Sequence, residues 1–365
     1  MNALKKTFAG KTVLLTGHTG FKGSWLTAWL QLLGANIVGV ALEPPTIPSH
    51  FDVADFAASM EDLRIDIRDA GPLADAVVQA QPDFVFHLAA QALVRSSYDD
   101  PLSTWSTNVM GTLHLLEGLR KLDKPCVAVI ITSDKCYDNV EWVWGYRETD
   151  GLGGPDPYSA SKGAAELAIR SHITSYFPKD GRVRIASARA GNVIGGGDWA
   201  ADRIVPDCIR AWSQDGTVQL RNPHATRPWQ HVLEPLSGYL NLAMALAGDA
   251  TLHGEPFNFG PPTQQNHSVL ELVCEMSLHW NQVRWEDVSG VTRGPYEARL
   301  LKLNCDKALH FLRWQAVMNF VDTVRLTAEW YRAYYRDPAT IAQVTRAQVE
   351  SYVSMANRQA LAWAV

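Results

Sequence analysis

The stretch Val13-Leu14-Leu15-Thr16-Gly17-His18-Thr19-Gly20-Phe21-Lys22-Gly23 constrains this chain more than any other. Three glycines at GxxGxxG spacing directly follow an apolar run of strand length and precede a helical pattern. Gly17 and Gly20 can form a tight turn that lets backbone approach a pyrophosphate, Gly23 permits close helix packing, and the helix N-terminus offers free amides to the anion. The spacing predicts a dinucleotide site with contacts from Gly17, His18, Gly20, Phe21, Lys22 and Gly23. Glu43 lies near the end of the second predicted strand, where a carboxylate accepts from a ribose 2′-hydroxyl and repels a 2′-phosphate. It favours NAD over NADP. Asp66-Ile67, read as the end of the third strand, offers contacts to an adenine amino group and ring.

The first 190 residues alternate β-branched runs with longer helical stretches, the pattern of a parallel sheet covered on both faces. Predicted strands are Lys11 to Thr16, Asn36 to Leu42, Leu63 to Ile67, Asp83 to Ala89, Val127 to Ser133 and Val183 to Ala188. Most are apolar on both faces, as buried parallel strands are. Predicted helices are Ser24 to Leu33, Gly71 to Gln81, Pro101 to Leu122 and Tyr158 to Tyr176. The fold expected is α/β, a doubly wound parallel sheet of Rossmann type with a smaller, mainly helical C-terminal substrate lobe. After Gly191 the alternation ends: a Gly-rich turn, a helix near Arg203 to Trp212 and a polar stretch suggest that lobe, while Glu234 to Leu246 and Pro256 to Gly260 return to the sheet. The expected division is residues 1–190 and about 229–262 for the cofactor domain, with about 191–228 and 263–365 for the lobe. The tail from Phe320 is helical and rich in aromatic residues.

Composition narrows the function. With 47% hydrophobic and 19% charged residues among 365, the chain can bury a large core. A net charge of −5 gives no general pull toward nucleic acid or anionic membrane. No apolar run reaches membrane-spanning length, and the N-terminal stretch lacks a signal-peptide pattern. The five cysteines have no metal-ligand spacing, and their odd number suits reduced thiols. The expectation is a cytoplasmic protein with small-molecule partners and no metal.

Tyr158-Ser159-Ala160-Ser161-Lys162 opens a helix, so Tyr158 and Lys162 lie on one face, one turn apart. An ammonium near a phenol favours the phenolate and so creates a base for a sugar hydroxyl. The strand leading into Thr132-Ser133-Asp134-Lys135 would deliver hydroxyls and charges to the carboxyl edge of the sheet, where ligands bind in such folds.

With these residues on view, the chain resembles the extended short-chain dehydrogenase/reductase family, in particular its nucleotide-sugar dehydratases and epimerases. The matching pieces are the glycine loop, Asp66-Ile67, His87-Leu88-Ala89-Ala90-Gln91, Asn108 within Asn108-Val109-Met110-Gly111-Thr112, the Ser133 region and Tyr158-x-x-x-Lys162. The resemblance implies that Tyr158 is the base at the substrate 4-hydroxyl and that Lys162 tunes it and holds the nicotinamide ribose. It also implies that Ser133 or Thr132 bonds the reacting oxygen. Strand alternation and the adjacent Asp134 favour Ser133. Leu88, Ala89, Ala90 and Asn108 join the cofactor set. Related dehydratases carry Asp-Glu where this chain has Asp134-Lys135, and the lysine is the departure found in the branch that acts on CDP-glucose. In that reading Asp134 is the acid at the carbon-6 hydroxyl and Lys135 the base at carbon 5; a structural ion pair between them is the alternative. Gln91 and Arg95 are expected at the hexose, and Asn192, Arg203, Arg227 and Arg299 at the diphosphate, where guanidinium groups bind phosphate oxygens. Trp199 and Trp229 are assigned to the core. The family also implies a homodimer, or a higher homo-oligomer, through the Pro101 to Leu122 and Tyr158 to Tyr176 helices. The competing readings are another nucleotide-sugar dehydratase, a 4-epimerase or reductase, and a protein that senses NAD without turnover.

Overall fold

The computed structural model describes residues 2–289 and 300–365. Seven strands form its main sheet: β1 (Thr12–Thr16), β2 (Asn36–Ala41), β3 (Glu61–Arg64), β4 (Phe84–His87), β5 (Cys126–Ile131), β6 (Val183–Arg189) and β7 (Pro256–Asn258). Their order is β7-β6-β5-β4-β1-β2-β3 and every pairing is parallel. The order reverses between β1 and β4, which opens a crevice at the carboxyl ends of those strands.

Alternation along each strand explains why both faces are covered. Val13, Leu15, Phe86 and Val129 enter one buried cluster, while Leu14, Val85, Ala128 and Ile130 enter another on the opposite face. The first face is covered by helices that include α1 (Asn2–Phe8) and α2 (Phe21–Leu33). The second face takes α3 (Ala70–Ala80), α4 (Thr112–Leu119) and α5 (Pro157–Tyr176). Pro at the first position and Asp156, which accepts from Ser159 N, fix the start of α5 and therefore the placement of Tyr158.

Beyond β6 come α6 (Ile204–Trp212), α7 (Leu233–Gly248), α8 (Phe320–Arg336) and α9 (Ile341–Arg358). Three short ladders tie the second region together, joining 193–194 to 230–231, 218–220 to 285–287 and 226–227 to 267–268. The tail packs on its own chain: Trp363 meets Trp29 of α2 edge-on at 6.1 Å, and Ala3 N bonds Val365 O at 3.2 Å. Glu234 anchors this packing, since its buried carboxylate accepts from Val317 N, Met318 N and the Tyr352 hydroxyl. Trp199 and Trp229 are buried as expected. All five cysteines are unpaired.

The sequence reading misplaced two elements and left a third unassigned. The third strand ends at Arg64, so Asp66-Ile67 lies in the following loop, where Arg68 Nε holds Asp66 Oδ2 at 2.8 Å. The stretch expected as one helix from Pro101 to Leu122 is α-helical over Pro101–Trp105, widens into a π turn over Ser106–Gly111, and resumes as α4. Asn2–Phe8, to which the sequence reading gave no element, form α1, where Leu4 and Phe8, one turn apart, are both fully buried.

Candidate active site

The crevice at the carboxyl edge widens into a cleft of about 990 Å³. Its floor begins at the glycine loop. Gly17 has φ +76°, and a Cβ there would lie 2.7 Å from Ala89 N. A Cβ on Gly23 would lie 2.0 Å from Gly17 O, so α2 starts directly against the turn. Gly20 caps α2 with no side-chain acceptor, which leaves the first-turn amides open to an anion. Around this loop the cleft is lined by Phe21, Lys22, Glu43, Asp66, Ile67, Leu88, Ala89 and Ala90. These residues suit a dinucleotide: a loop that only glycine can occupy at two points, a free helix N-terminus and a rim carboxylate. Glu43 is 79% exposed at the side chain and 3.7 Å from Arg64 Nη1.

His18 is the exception in that set. Its ring turns into the protein, where Nε2 meets Asp62 Oδ1 at 2.8 Å and Phe51 packs edge-on, so its side chain does not line the cleft. Burial holds this imidazole below its ordinary pKa, against the pull of Asp62.

Beyond the loop, β5 delivers the sequence-predicted reactive groups. Thr132 and Ser133 emerge on opposite sides. Thr132 donates to Glu166 Oε1 at 2.5 Å, inside the protein. Ser133 donates to Asp134 Oδ1 at 3.0 Å and is the hydrogen-bonding neighbour of Tyr158. Ser133 is thus the hydroxyl that faces the cleft. Asp134 is 1% exposed, receives Asn192 Nδ2 at 3.4 Å, and fits only because Gly191 lacks a side chain: a Cβ there would lie 1.8 Å from Asp134 Oδ2. Lys135 lines the cleft and, among the described residues, makes no ion pair with Asp134. Behind α5, Asn108 sits in the π turn and bonds Ser161 Oγ at 2.9 Å and Gln91 O at 3.1 Å. It fixes the helix beside Lys162.

The electrostatics bring a further cation to the expected pair. Burial pushes the Tyr158 phenol up to about 12, and the neighbours that favour its phenolate are Ser133 and Arg203. Burial pushes the Lys162 amine down to about 8, opposed by Glu166. Arg203, expected at a diphosphate, pairs with Asp198 Oδ2 at 2.7 Å and acts on Tyr158. Asn192, expected there too, turns to Asp134. Gln91 lines the cleft, but its amide is tied to Thr104 Oγ1 at 2.9 Å and Leu93 O at 3.0 Å. Arg95 and Arg221 share Asp202 at 3.2 and 2.8 Å on the rim; Arg221 carried no motif that singled it out. Arg227 lines the cleft and donates to Thr226 O at 2.8 Å. Arg299 lies outside the described residues.

A profile of the family described as GDP-mannose 4,6 dehydratase matches residues 14–327. The chain belongs to that family. Within this dehydratase family it is 44% identical, over 97% of its own length and 99% of the other, to a Salmonella typhimurium protein named CDP-glucose 4,6-dehydratase. A Xanthomonas campestris dTDP-glucose 4,6-dehydratase is 24% identical over 88% of this chain and 93% of that one. The fold is shared with a Stenotrophomonas maltophila UDP-glucose-4-epimerase solved with NAD, at a TM-score of 0.76 and 23% identity, covering 89% of this chain and 99% of the other. Among the described residues no helix is long and apolar enough to cross a membrane.

Proposed function

We propose that this protein converts CDP-glucose to CDP-4-dehydro-6-deoxy-glucose, with NAD recycled in each turnover. The observation that carries the reading is that Ser133, Asp134, Lys135, Tyr158 and Lys162 all line one cleft. An epimerase needs a base at one hydroxyl; dehydration needs two further proton-transfer groups, and Asp134 and Lys135 provide them. The 44% relative supports the substrate assignment. Bound in the glycine-loop site, NAD supplies a hydride acceptor for carbon 4 and the donor for carbon 6.

The residues do the rest. Ser133 holds the 4-oxygen while Tyr158 takes its proton, helped by the Arg203 charge. The resulting ketone acidifies carbon 5, whose proton passes to Lys135. Asp134 protonates the carbon-6 oxygen, which leaves as water. Each assisted transfer contributes about a hundredfold to ten-thousandfold. Leu88, Ile194 and Trp229 give the cleft apolar lining. Arg95, Asn192, Arg227 and Arg299 are assigned to the nucleotide sugar.

The chain is assigned to the cytoplasm, where buried free thiols such as Cys126 and Cys208 stay reduced. A homodimer through the helices 101–119 and 157–176 is supported by their exposed apolar side chains, Leu102 and Met110 on one and Leu167 and Tyr176 on the other. The test is to incubate purified protein with NAD and a panel of nucleoside-diphosphate-glucoses. A CDP-sugar lighter by one water, with the alkali-induced absorbance of a 4-keto-6-deoxy sugar, is expected. An isomer of unchanged mass would mean epimerisation, and an untouched sugar would reject the proposal.

A further inference from the structure

Asp202 and Arg221 meet on the rim of the cleft, and neither takes part in the chemistry above. Both line the cleft, and Arg221 Nη1 donates to Asp202 Oδ1 at 2.8 Å. Arg95, after β4, brings its Nη1 to within 3.2 Å of the same oxygen. Because both cations fall on Oδ1, the rest of the cluster stays open. Among the described residues Asp202 Oδ2 accepts no hydrogen bond, and Arg221 Nε and Nη2 donate none. Both residues sit on anchored backbone. Arg221 follows the ladder of 218–220 with 285–287, where Val218 and Leu220 are buried and Leu220 O accepts from Val288 N at 3.0 Å. On its other side Asn222 O accepts from Ala225 N at 3.2 Å. Asp202 directly precedes Arg203, whose guanidinium is tied to Asp198 at 2.7 Å.

Such a pair presents an acceptor beside a fork of donors, since a carboxylate only accepts and a guanidinium only donates. Along its pairing edge cytosine displays a 4-amino donor, the N3 acceptor and the O2 acceptor. Uracil and thymine display an O4 acceptor, an N3–H donor and the O2 acceptor. The Asp202 carboxylate matches the amino group of cytosine, and two N–H groups of Arg221 match N3 and O2 together. Against uracil the same groups set carboxylate against carbonyl oxygen and N–H against N–H, which costs affinity. Adenine offers an amino group and N1 but no second acceptor. A diphosphate is a poor fit at this point, because the Asp202 carboxylate repels it. The location also suits a base. Tyr158 and Lys162 are 7% and 5% exposed, whereas the side chains of Asp202 and Arg221 are 41% and 33% exposed. A nucleotide sugar with its hexose at Tyr158 carries its base at the other end of the molecule, toward the open rim.

We infer that Asp202 and Arg221 read the cytosine ring of the nucleotide sugar and set the preference for CDP-glucose over its uridine and thymidine counterparts. Asp202 Oδ2 accepts from the 4-amino group, while Arg221 Nη2 and Nε donate to N3 and O2. The bond between Arg221 Nη1 and Asp202 Oδ1 holds the acceptor beside the donors, and Arg95 braces the same carboxylate from the β4 side. The pair touches the base and no reacting atom, so it governs which substrate is taken and not how the bonds change.

The inference rests on the proposed use of CDP-glucose, and a binding measurement separates the two. Calorimetric titration of the NAD-loaded protein with CDP and with UDP reads base preference without any turnover. Wild type is expected to bind CDP about tenfold or more tightly than UDP. If it does so and yet leaves CDP-glucose untouched, the dehydration reading fails and this one stands; equal binding of CDP and UDP overturns this one. Asp202→Asn carries an amide that either accepts or donates, so uracil O4 is no longer opposed. In that variant UDP binding should improve relative to CDP by about tenfold. Arg221→Met loses the donors to N3 and O2 and should weaken CDP by about tenfold to a hundredfold, with UDP affected far less. The ratio of kcat/KM for CDP-glucose to that for UDP-glucose should move in the same way. Equal weakening of CDP and UDP in Arg221→Met would make it a phosphate contact and overturn the proposal, as would an unchanged ratio in Asp202→Asn. Thermal melts check folding, and either variant that folds decides alone.

Discussion

Lys162 and Glu166 stand one turn apart on α5, and both are almost completely buried. Their surroundings treat them in opposite ways. Glu166 receives Arg189 Nε at 2.9 Å and Nη2 at 2.8 Å, together with the hydroxyls of Thr132 and Ser187. Burial would raise its pKa, but Arg189 and those hydroxyls hold it below the ordinary value. Lys162 has no such cage, and burial lowers it instead. The Glu166 cluster has its charges and hydrogen bonds matched and works as a fixed wall behind β5 and β6. The cleft-side amine, Lys162, is left under-compensated, as a group that must respond to a ligand needs to be.

The largest expected effect tests the reactive side. Tyr158→Phe should lower turnover about a hundredfold to ten-thousandfold while shifting unfolding in urea by no more than about 1 kcal/mol. A comparable loss of stability would mean the phenol belongs to the wall. On that wall, Glu166→Gln strands Arg189 and should cost about 3–5 kcal/mol in urea unfolding. Lys162→Met should do the reverse: abolish turnover yet raise stability at pH 7 by roughly 2–3 kcal/mol, because an ammonium pushed from 10.5 to about 8 is destabilising wherever it stays protonated. A destabilised Lys162→Met would break the contrast.

The smallest effect concerns Glu234, which is as buried as Glu166 but, among the described residues, meets only backbone amides and the Tyr352 hydroxyl, without a cation. Burial raises it from 4.5 to about 7. The folded state therefore holds a proton that the unfolded chain releases. Its stabilisation is complete below about pH 4.5 and is lost as pH rises toward about 7. Glu234→Gln should flatten that part of a stability-versus-pH curve, measured by denaturant unfolding.

Much of this arrangement was legible beforehand. The glycine spacing located the turn that Gly17 and Gly23 alone can occupy, and the apolar runs located the strands, since a strand buried on both faces cannot carry polar residues. Tyr158 and Lys162 were legible because helix periodicity sets their shared face. The edge strand was misjudged because its ladder to β2 stops at Arg64, while the apolar pattern continues through Ile65 and Ile67. The π turn at Asn108 was invisible because its cause is a set of hydrogen bonds to Ser161 and Gln91, distant in sequence.

The sequence by itself determined the doubly wound sheet, the dinucleotide loop and the identities of the reactive groups, because those follow from local periodicity and from backbone geometry that few residues tolerate. Only the tertiary structure decided that the Thr132 hydroxyl is tied to Glu166, that Arg203 comes close enough to act on Tyr158, and that the Asp134 carboxylate is wedged against Gly191. Each of these depends on which side chains from separate elements converge in a buried space, where burial and charge act over distance and independently of order along the chain.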